Sequence, residues 1–233
     1  MQGRPFGFDE AGKSVGRTKG TLISMTMKYM LEQVAKHVPA DLSPSERQTA
    51  IRKAQENATA ECVRKVNEAI GDSRYYVTTE YLFNEGNVYS VEFDLYFSEI
   101  AREISGESFE NFHFNRATKS VPEAIAVLAR PLPLKQVYNL LPRFAAKFAD
   151  TDFRVMRVNS NSAVIQWRCE KELAILPRDE HHAFIHESCL FVQGTLSHVP
   201  VILSGAPPAF VIEHKCQLWG DECCEYEFIW QQE

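Results

Sequence analysis

Apolar residues in the first part of the chain recur at helical spacing. Residues 21–37 carry leucine, methionine and valine side chains in an amphipathic stripe, which predicts a helix. Ser43 followed by Pro44 is typical of a helix start, because serine caps the first turn and proline fits the first helical position. The helix that they open is predicted to reach Ile70. Its apolar face is thin, so we expect it to face solvent or to lie in a dimer interface.

The apolar segments that follow allow two interpretations. Residues 75–83 and 88–93 are rich in aromatic and β-branched side chains and flank a polar turn, which predicts a β-hairpin. Alternatively, the second segment already belongs to a helix that reaches Ile104 and ends at Gly106.

The second half of the chain mixes helical periodicity with strict alternation. The polar residues 159–162 are typical of the turn of a hairpin. The whole pattern predicts an α+β fold in which helices pack on an antiparallel sheet. The predicted elements are helices at 121–128, 134–148 and 186–198, strands at 153–158 and 163–169, and a hairpin over residues 210–230.

The terminal hairpin concentrates thiol groups around one turn. An apolar strand reaches Glu213, and residues 220–221 form the predicted turn. The returning strand alternates aromatic side chains, namely Tyr226, Phe228 and Trp230. This geometry brings Cys216 and Cys224 together across the turn.

A thiolate pair beside a carboxylate suits zinc, which binds sulfur, nitrogen and oxygen ligands tetrahedrally. Glu213, Cys216 and Cys224 leave one of the four positions open, and Cys189 on the 186–198 helix is predicted to fill it. Because neighbouring strand residues point to opposite faces, Cys224 is favoured over Cys223, although the turn still allows their exchange.

Three alternatives to this ligand set stay open. His186, His198 and His214 are competing donors. The cysteines also fit the ordinary role of small buried hydrophobic residues, or that of a redox pair.

Aromatic side chains on two neighbouring elements predict a ligand pocket. Trp167 has the inward parity of its strand, and the 134–148 helix carries an aromatic face opposite to it. Such walls suit a flat, small apolar or aromatic molecule in a pocket of about 300 Å³ or more. The candidate ligand-binding residues are Trp167, Tyr138, Phe144, Phe184 and Leu141.

Composition sets wider bounds on function. The chain has 233 residues, of which 45% are apolar and 24% charged, as expected for a globular protein. Its net charge of −6 argues against direct nucleic-acid binding, which needs a basic face. No apolar run predicts a membrane span, and we expect no leader segment, because no apolar run follows a basic start. The scattered cysteines fit a reducing compartment, so we expect a cytoplasmic protein.

Signals for catalysis are weak. Residues 7–14 match the Gly-x-x-x-x-Gly-Lys-Ser phosphate loop, but no apolar strand precedes them, and Asp9 and Glu10 would place negative charge inside an anion cradle. His181 and His182 beside two acids fit a solvated turn. We therefore favour a role without catalysis.

The spacing of Glu213-x-x-Cys216, Gly220-Asp221 and Cys224-x-Tyr226, with Cys189 on an upstream helix, resembles the vinyl-4-reductase domain over about residues 120–230. That domain occurs in the sensors of phenol- and toluene-responsive bacterial activators and in a bacteriochlorophyll-synthesis protein. The resemblance implies zinc bound by Cys189, Glu213, Cys216 and Cys224 beside an aromatic-ligand pocket. It also implies a fold shared with trafficking-complex subunits and haem nitric-oxide sensors, often as a homodimer.

The resulting expectation is a flexible tail at 1–20, a helical dimerisation region at 21–119 and a ligand-binding domain at 120–233. We expect a regulatory sensory domain with a structural zinc ion that binds a small, largely apolar molecule and signals through a homodimer. Because no output module is recognised, it would belong to a longer regulator or act on a regulatory protein partner. The alternatives are an enzyme or chaperone of tetrapyrrole metabolism and an interaction scaffold without ligand.

Overall fold

The computed structural model describes residues 18–121, 123–145 and 152–231. For residues 123–125, 144 and 145 it describes the backbone alone. The predicted tail therefore lies outside the described residues up to position 17, and positions 18–20 are already structured. The chain forms two compact units that divide between Phe112 and His113.

The first unit is mainly helical. Its elements are β1 (Thr18–Lys19), α1 (Gly20–Lys36), α2 (Pro44–Ile70), α3 (Thr79–Phe83), β2 (Val88–Tyr89), α4 (Val91–Ser105) and the start of α5 (Phe109–Ala117). α1 packs against α2, α3 and α4 around one apolar core. The start of α2 is fixed by a reciprocal cap, in which the Ser43 N–H donates to Glu46 Oε2 at 3.1 Å.

The hairpin predicted over residues 75–93 is wrong, and its helical alternative is correct for the second segment. Two side-chain caps explain the difference. Thr78 Oγ1 accepts a hydrogen bond from the Tyr81 N–H and opens α3, and Ser90 Oγ accepts one from the Phe93 N–H and opens α4. Between these helices lies the two-residue strand β2, which pairs antiparallel with β1.

The second unit places helices against a sheet. Its elements are the rest of α5, then α6 (Glu123–Ala129), α7 (Leu134–Ala145), β3 (Asp152–Val158), β4 (Ser162–Arg168), α8 (Glu170–Leu173), α9 (His181–Ser197), α10 (Val199–Ser204), β5 (Phe210–Lys215) and β6 (Cys224–Ile229). The four strands are antiparallel in the order β3-β4-β6-β5. The protein is thus of the predicted α+β class.

The two faces of this sheet differ in chemistry. On the inner face, alternate residues of β4 and β6 are buried against α7 and α9 in one apolar core. The outer face carries a charge network in which Glu227 contacts Arg157 at 3.3 Å and His214 at 3.2 Å. The polar outer face therefore meets solvent, and the inner face is where a buried site can form.

The second unit holds α9 in place by two contacts with α5. Arg116 Nη2 lies 2.5 Å from Glu187 Oε1, and His113 Nδ1 lies 3.5 Å from the same oxygen. Arg116 and Glu187 are both buried, so the loss of either partner should destabilise the protein more than the loss of a surface ion pair would. Further along, a Cβ atom at Gly194 would lie 2.2 Å from the Phe114 carbonyl oxygen, so only glycine allows this close crossing.

No helix in the described part of the chain is long and apolar enough to span a membrane.

Replacing Gly194 by alanine should destabilise the protein although alanine favours helices. The new methyl group meets a backbone carbonyl that cannot turn aside, and such overpacking costs about 1–3 kcal/mol. Chemical denaturation measures the change. The neighbouring Gln193→Ala is the control and should leave the free energy of unfolding almost unchanged. Equal stability of Gly194→Ala and the wild type would contradict the described crossing.

Candidate metal centre

Three buried thiols of the second unit converge on one point. Cys189 comes from the middle of α9, Cys216 follows β5, and Cys224 begins β6. Their exposed fractions are 3%, 2% and 0%. The Cys189 sulfur lies 3.8 Å from that of Cys216 and 3.4 Å from that of Cys224, and the latter two are 4.0 Å apart. This group of three could hold a metal ion.

A bulge in β5 brings Cys216 to the inner face. Glu213 lies opposite Tyr226, whereas Lys215 lies opposite Glu225, so one extra residue is inserted between them. Without that insertion, strand alternation would put Glu213 and Cys216 on opposite faces, because they are three residues apart. With it, both positions share the face of Tyr226.

The turn after Cys216 fixes its backbone. The Cys216 N–H donates to Asp221 Oδ2 at 2.9 Å, and its carbonyl accepts from the Trp219 N–H at 2.9 Å. Gly220 closes the turn with φ of 90°, a conformation that suits glycine. The predicted Gly220-Asp221 turn is thus present, and it is preceded by a short 3₁₀ segment, Gln217–Trp219.

Register explains which of the two adjacent cysteines joins the group. Cys224 pairs with Trp167 of β4, and both side chains belong to the buried core. Cys223 is buried too but is not a member of the three-thiol group. The structure therefore brings in Cys224, as strand parity predicts.

Hydrogen bonds single out Cys224 as the thiol that ionises first. The pKa of Cys224 is lowered to about 7, chiefly by the hydrogen bond from Cys189 and further by the Gln217 N–H, whose nitrogen is 3.4 Å away. The pKa of Cys189 is raised because that thiol donates to Cys224 and is buried. Burial raises the pKa of Cys216 to about 12, against a hydrogen bond from the Leu218 backbone that lowers it.

Tyr226 adds a polar group beside the thiols. Its hydroxyl is buried and makes no hydrogen bond of ordinary length within the described residues. It nevertheless lies close enough to contribute to the lowered pKa of Cys224, after the larger effects of Cys189 and Gln217. Burial, and next the charge of the nearby thiolates, raises the pKa of Tyr226, so its hydroxyl stays protonated and can donate to a thiolate.

The spacing of the sulfurs fits tetrahedral zinc. A zinc–sulfur bond of about 2.3 Å and a tetrahedral angle give sulfur–sulfur distances of about 3.8 Å. The three observed distances, 3.4, 3.8 and 4.0 Å, bracket this value. A disulfide needs about 2.0 Å, so the thiols are arranged around a point and are not bonded in pairs.

Glu213, the predicted fourth ligand, is placed less closely. Its side chain is exposed on the edge strand β5, and its carboxylate is outside the group of three. It shares the inner face through its pairing with Tyr226, and its charge contributes to the raised pKa of Cys216 after burial and the Cys224 charge.

The competing histidines have other contacts in the described structure. His214 faces Glu227, and His198 lies beside Ser197 and the Phe114 ring. The rings of His186 and His182 meet edge to face. None of them joins the group of three.

Two residues beside the thiols were missed in the sequence. Cys169, interpreted there as core, is fully buried and its sulfur lies 3.2 Å from Gln217 Oε1. Gln217 in turn contacts Cys224 through its backbone N–H. The signal was available in part, because Cys169 has the same strand parity as Trp167, the partner of Cys224.

Of the predicted ligand-binding residues, Trp167, Tyr138, Leu141 and Phe184 come together in or against one core, next to the thiols. The side chain of Phe144 lies outside the described residues. The Tyr138 hydroxyl donates to the Leu196 carbonyl at 2.8 Å, and its ring stacks on Trp230 at 4.7 Å, so this residue has structural partners. Trp167 differs, because its buried Nε1–H has no partner within the described residues.

No protein-family model matches the chain, and no curated protein matches it. Solved structures that resemble it include an Fe(II) unliganded H-NOX protein from K. algicida, with 11% identity, a TM-score of 0.49, and coverage of 93% of this chain and 98% of that chain. Another is an H-NOX protein from S. oneidensis in the Fe(II)NO ligation state, with 9% identity, a TM-score of 0.47 and coverage of 86% and 99%. These values mark a distant likeness in chain trace, and they assign neither a haem nor a ligand to this chain.

Proposed function

We propose that the second unit is a regulatory sensory domain that binds a small, largely apolar molecule and is braced by a structural zinc ion. The observation that carries the zinc proposal is the arrangement of Cys189, Cys216 and Cys224, whose buried sulfurs have the spacing of a tetrahedral thiolate centre. The resemblance to the vinyl-4-reductase domain supports the same assignment.

Zinc would act as a cross-link between α9 and the terminal hairpin. Cys189 belongs to the helix, whereas the other two thiols belong to the hairpin, so an ion bound to all three joins elements far apart in sequence. Since the site exists only when α9 and the hairpin are folded together, metal binding adds to the stability of the folded state. The ion is assigned a structural role, because the three sulfurs that would bind it are buried.

The ligand side of the proposal rests on Trp167. This residue is buried beside Cys224, packs against the Phe184 ring at 6.5 Å between centroids, and has an indole N–H without a partner in the described structure. A buried donor without a partner is costly, and an acceptor on a bound molecule would satisfy it. A largely apolar molecule with one such acceptor therefore fits best.

Signal output is proposed through a homodimer, with a regulatory protein or a linked output domain as the recipient. α2 supports this, because its buried residues, Ala58, Cys62, Val66 and Ile70, lie in its second half. The first half has little apolar surface in the core of its own unit and is available for association.

Protein purified without chelator should contain about one zinc per chain, since buried thiolates hold the ion tightly. Elemental analysis should show that Cys189→Ser, Cys216→Ser and Cys224→Ser each lose most of it. Cys223→Ser is the matched control, because this buried cysteine is outside the group. Metal-free wild type, or an equal loss in the control, would contradict the assignment.

Mass spectrometry of denatured wild-type protein should release a co-purified small molecule with aromatic or aliphatic character. In Trp167→Ala the amount should fall by about tenfold, because the lost stacking and hydrogen bond are together worth more than about 1.4 kcal/mol. Trp219→Ala, at a position 83% exposed, is the control and should retain the molecule. Equal amounts in both variants, each with full zinc content, would remove Trp167 from the ligand site.

A further inference from the structure

The three thiols leave the fourth tetrahedral position without a close donor. Structural zinc sites are closed, and four-cysteine sets are common among them. Glu213 would have to turn inward from an exposed edge and lose its hydration, which is costly for a carboxylate. A donor that is already buried avoids this cost.

Cys169 is such a donor. It is fully buried, and it follows the end of β4 with the parity of Trp167, so it is on the same face as Cys224. Its thiol contacts the side-chain oxygen of Gln217 at 3.2 Å, while the backbone nitrogen of Gln217 contacts the Cys224 sulfur at 3.4 Å. Gln217 thus contacts Cys169 through its side chain and Cys224 through its backbone.

We propose that Cys169 is the fourth ligand, so that the centre is formed by Cys169, Cys189, Cys216 and Cys224. This inference rests on the proposed zinc site and changes its donor set. The sulfurs of the other three cysteines lie within 4.8 Å of one another, and the Cys169 sulfur is outside this group. To bind the same ion, the Cys169 side chain must turn away from Gln217 and toward the three sulfurs. Each thiol gives up one proton to the buffer as its sulfur binds Zn²⁺. For Cys169 this removes the proton that it donates to the side-chain oxygen of Gln217.

The surroundings of the site suit the extra negative charge. Four thiolates and one Zn²⁺ carry a net charge of −2, which backbone N–H groups and nearby cations must offset. The Gln217 N–H already faces Cys224. Burial raises the pKa of the neighbouring Cys223, and the nearby positive charges of Lys215 and Arg168 lower it by a smaller amount.

Cobalt substitution of the full chain counts the thiolates, because the intensity of the sulfur-to-cobalt charge-transfer band grows with the number of cobalt–sulfur bonds. Zinc is exchanged for Co²⁺ in the wild type, Cys169→Ser, Glu213→Gln and Cys223→Ser. Cys169→Ser should lose about a quarter of the intensity, since three of four thiolates remain. The other two variants should match the wild type.

A spectrum that is unchanged in Cys169→Ser and altered in Glu213→Gln would overturn the inference and leave the zinc site in place. A wild type that binds neither Zn²⁺ nor Co²⁺ would instead remove the zinc site itself. If Cys169→Ser does not fold, the cadmium-113 resonance of the wild type decides alone. A shift typical of four sulfurs supports Cys169, and one typical of three sulfurs and an oxygen contradicts it.

Discussion

Three thiols from two distant segments of the second unit meet in a buried core. As neutral thiols they add little beyond ordinary apolar packing. Around a divalent ion they would become a cross-link between α9 and the terminal hairpin, and this cross-link would hold the helix and the sheet together beside Trp167. The metal would thus determine both the stability of the unit and the shape of its ligand-binding core.

Contacts in the described part of the second unit position the segments that carry the thiols. The β5 bulge turns Cys216 toward the inner face of the sheet. The pairing of Cys224 with Trp167 belongs to the register of β6 against β4. On the other side, α9 is held by the buried contact of Glu187 with Arg116, one half-turn from Cys189. The close crossing at Gly194 fixes the same helix further along. In the proposed function, coupling between a ligand at Trp167 and a metal bound by the thiols would need no long pathway, since Trp167 pairs with Cys224.

Strand and helix periodicity predicted much of this arrangement. Inward parity selected Cys224, helical spacing placed Cys189 toward the sheet, and the α+β class followed from the alternation of elements. The bulge could not be predicted, because the alternation of apolar and polar residues does not show where one extra residue is inserted. On a regular strand, Glu213 and Cys216 would point to opposite faces of the sheet. Residues 75–93 misled because aromatic and β-branched side chains favour strands, whereas the caps at Thr78 and Ser90 start helices. Cys169 was missed because its neighbour Gln217 becomes adjacent only through tertiary contact.

X-ray absorption at the zinc edge of the full chain as purified shows whether the buried thiols bind zinc. If they do, a shell of sulfur atoms at about 2.3 Å dominates the first coordination sphere. A first shell made of oxygen and nitrogen alone, or a sample without zinc in which Cys189, Cys216 and Cys224 titrate as free thiols after unfolding, would contradict zinc binding by these thiols.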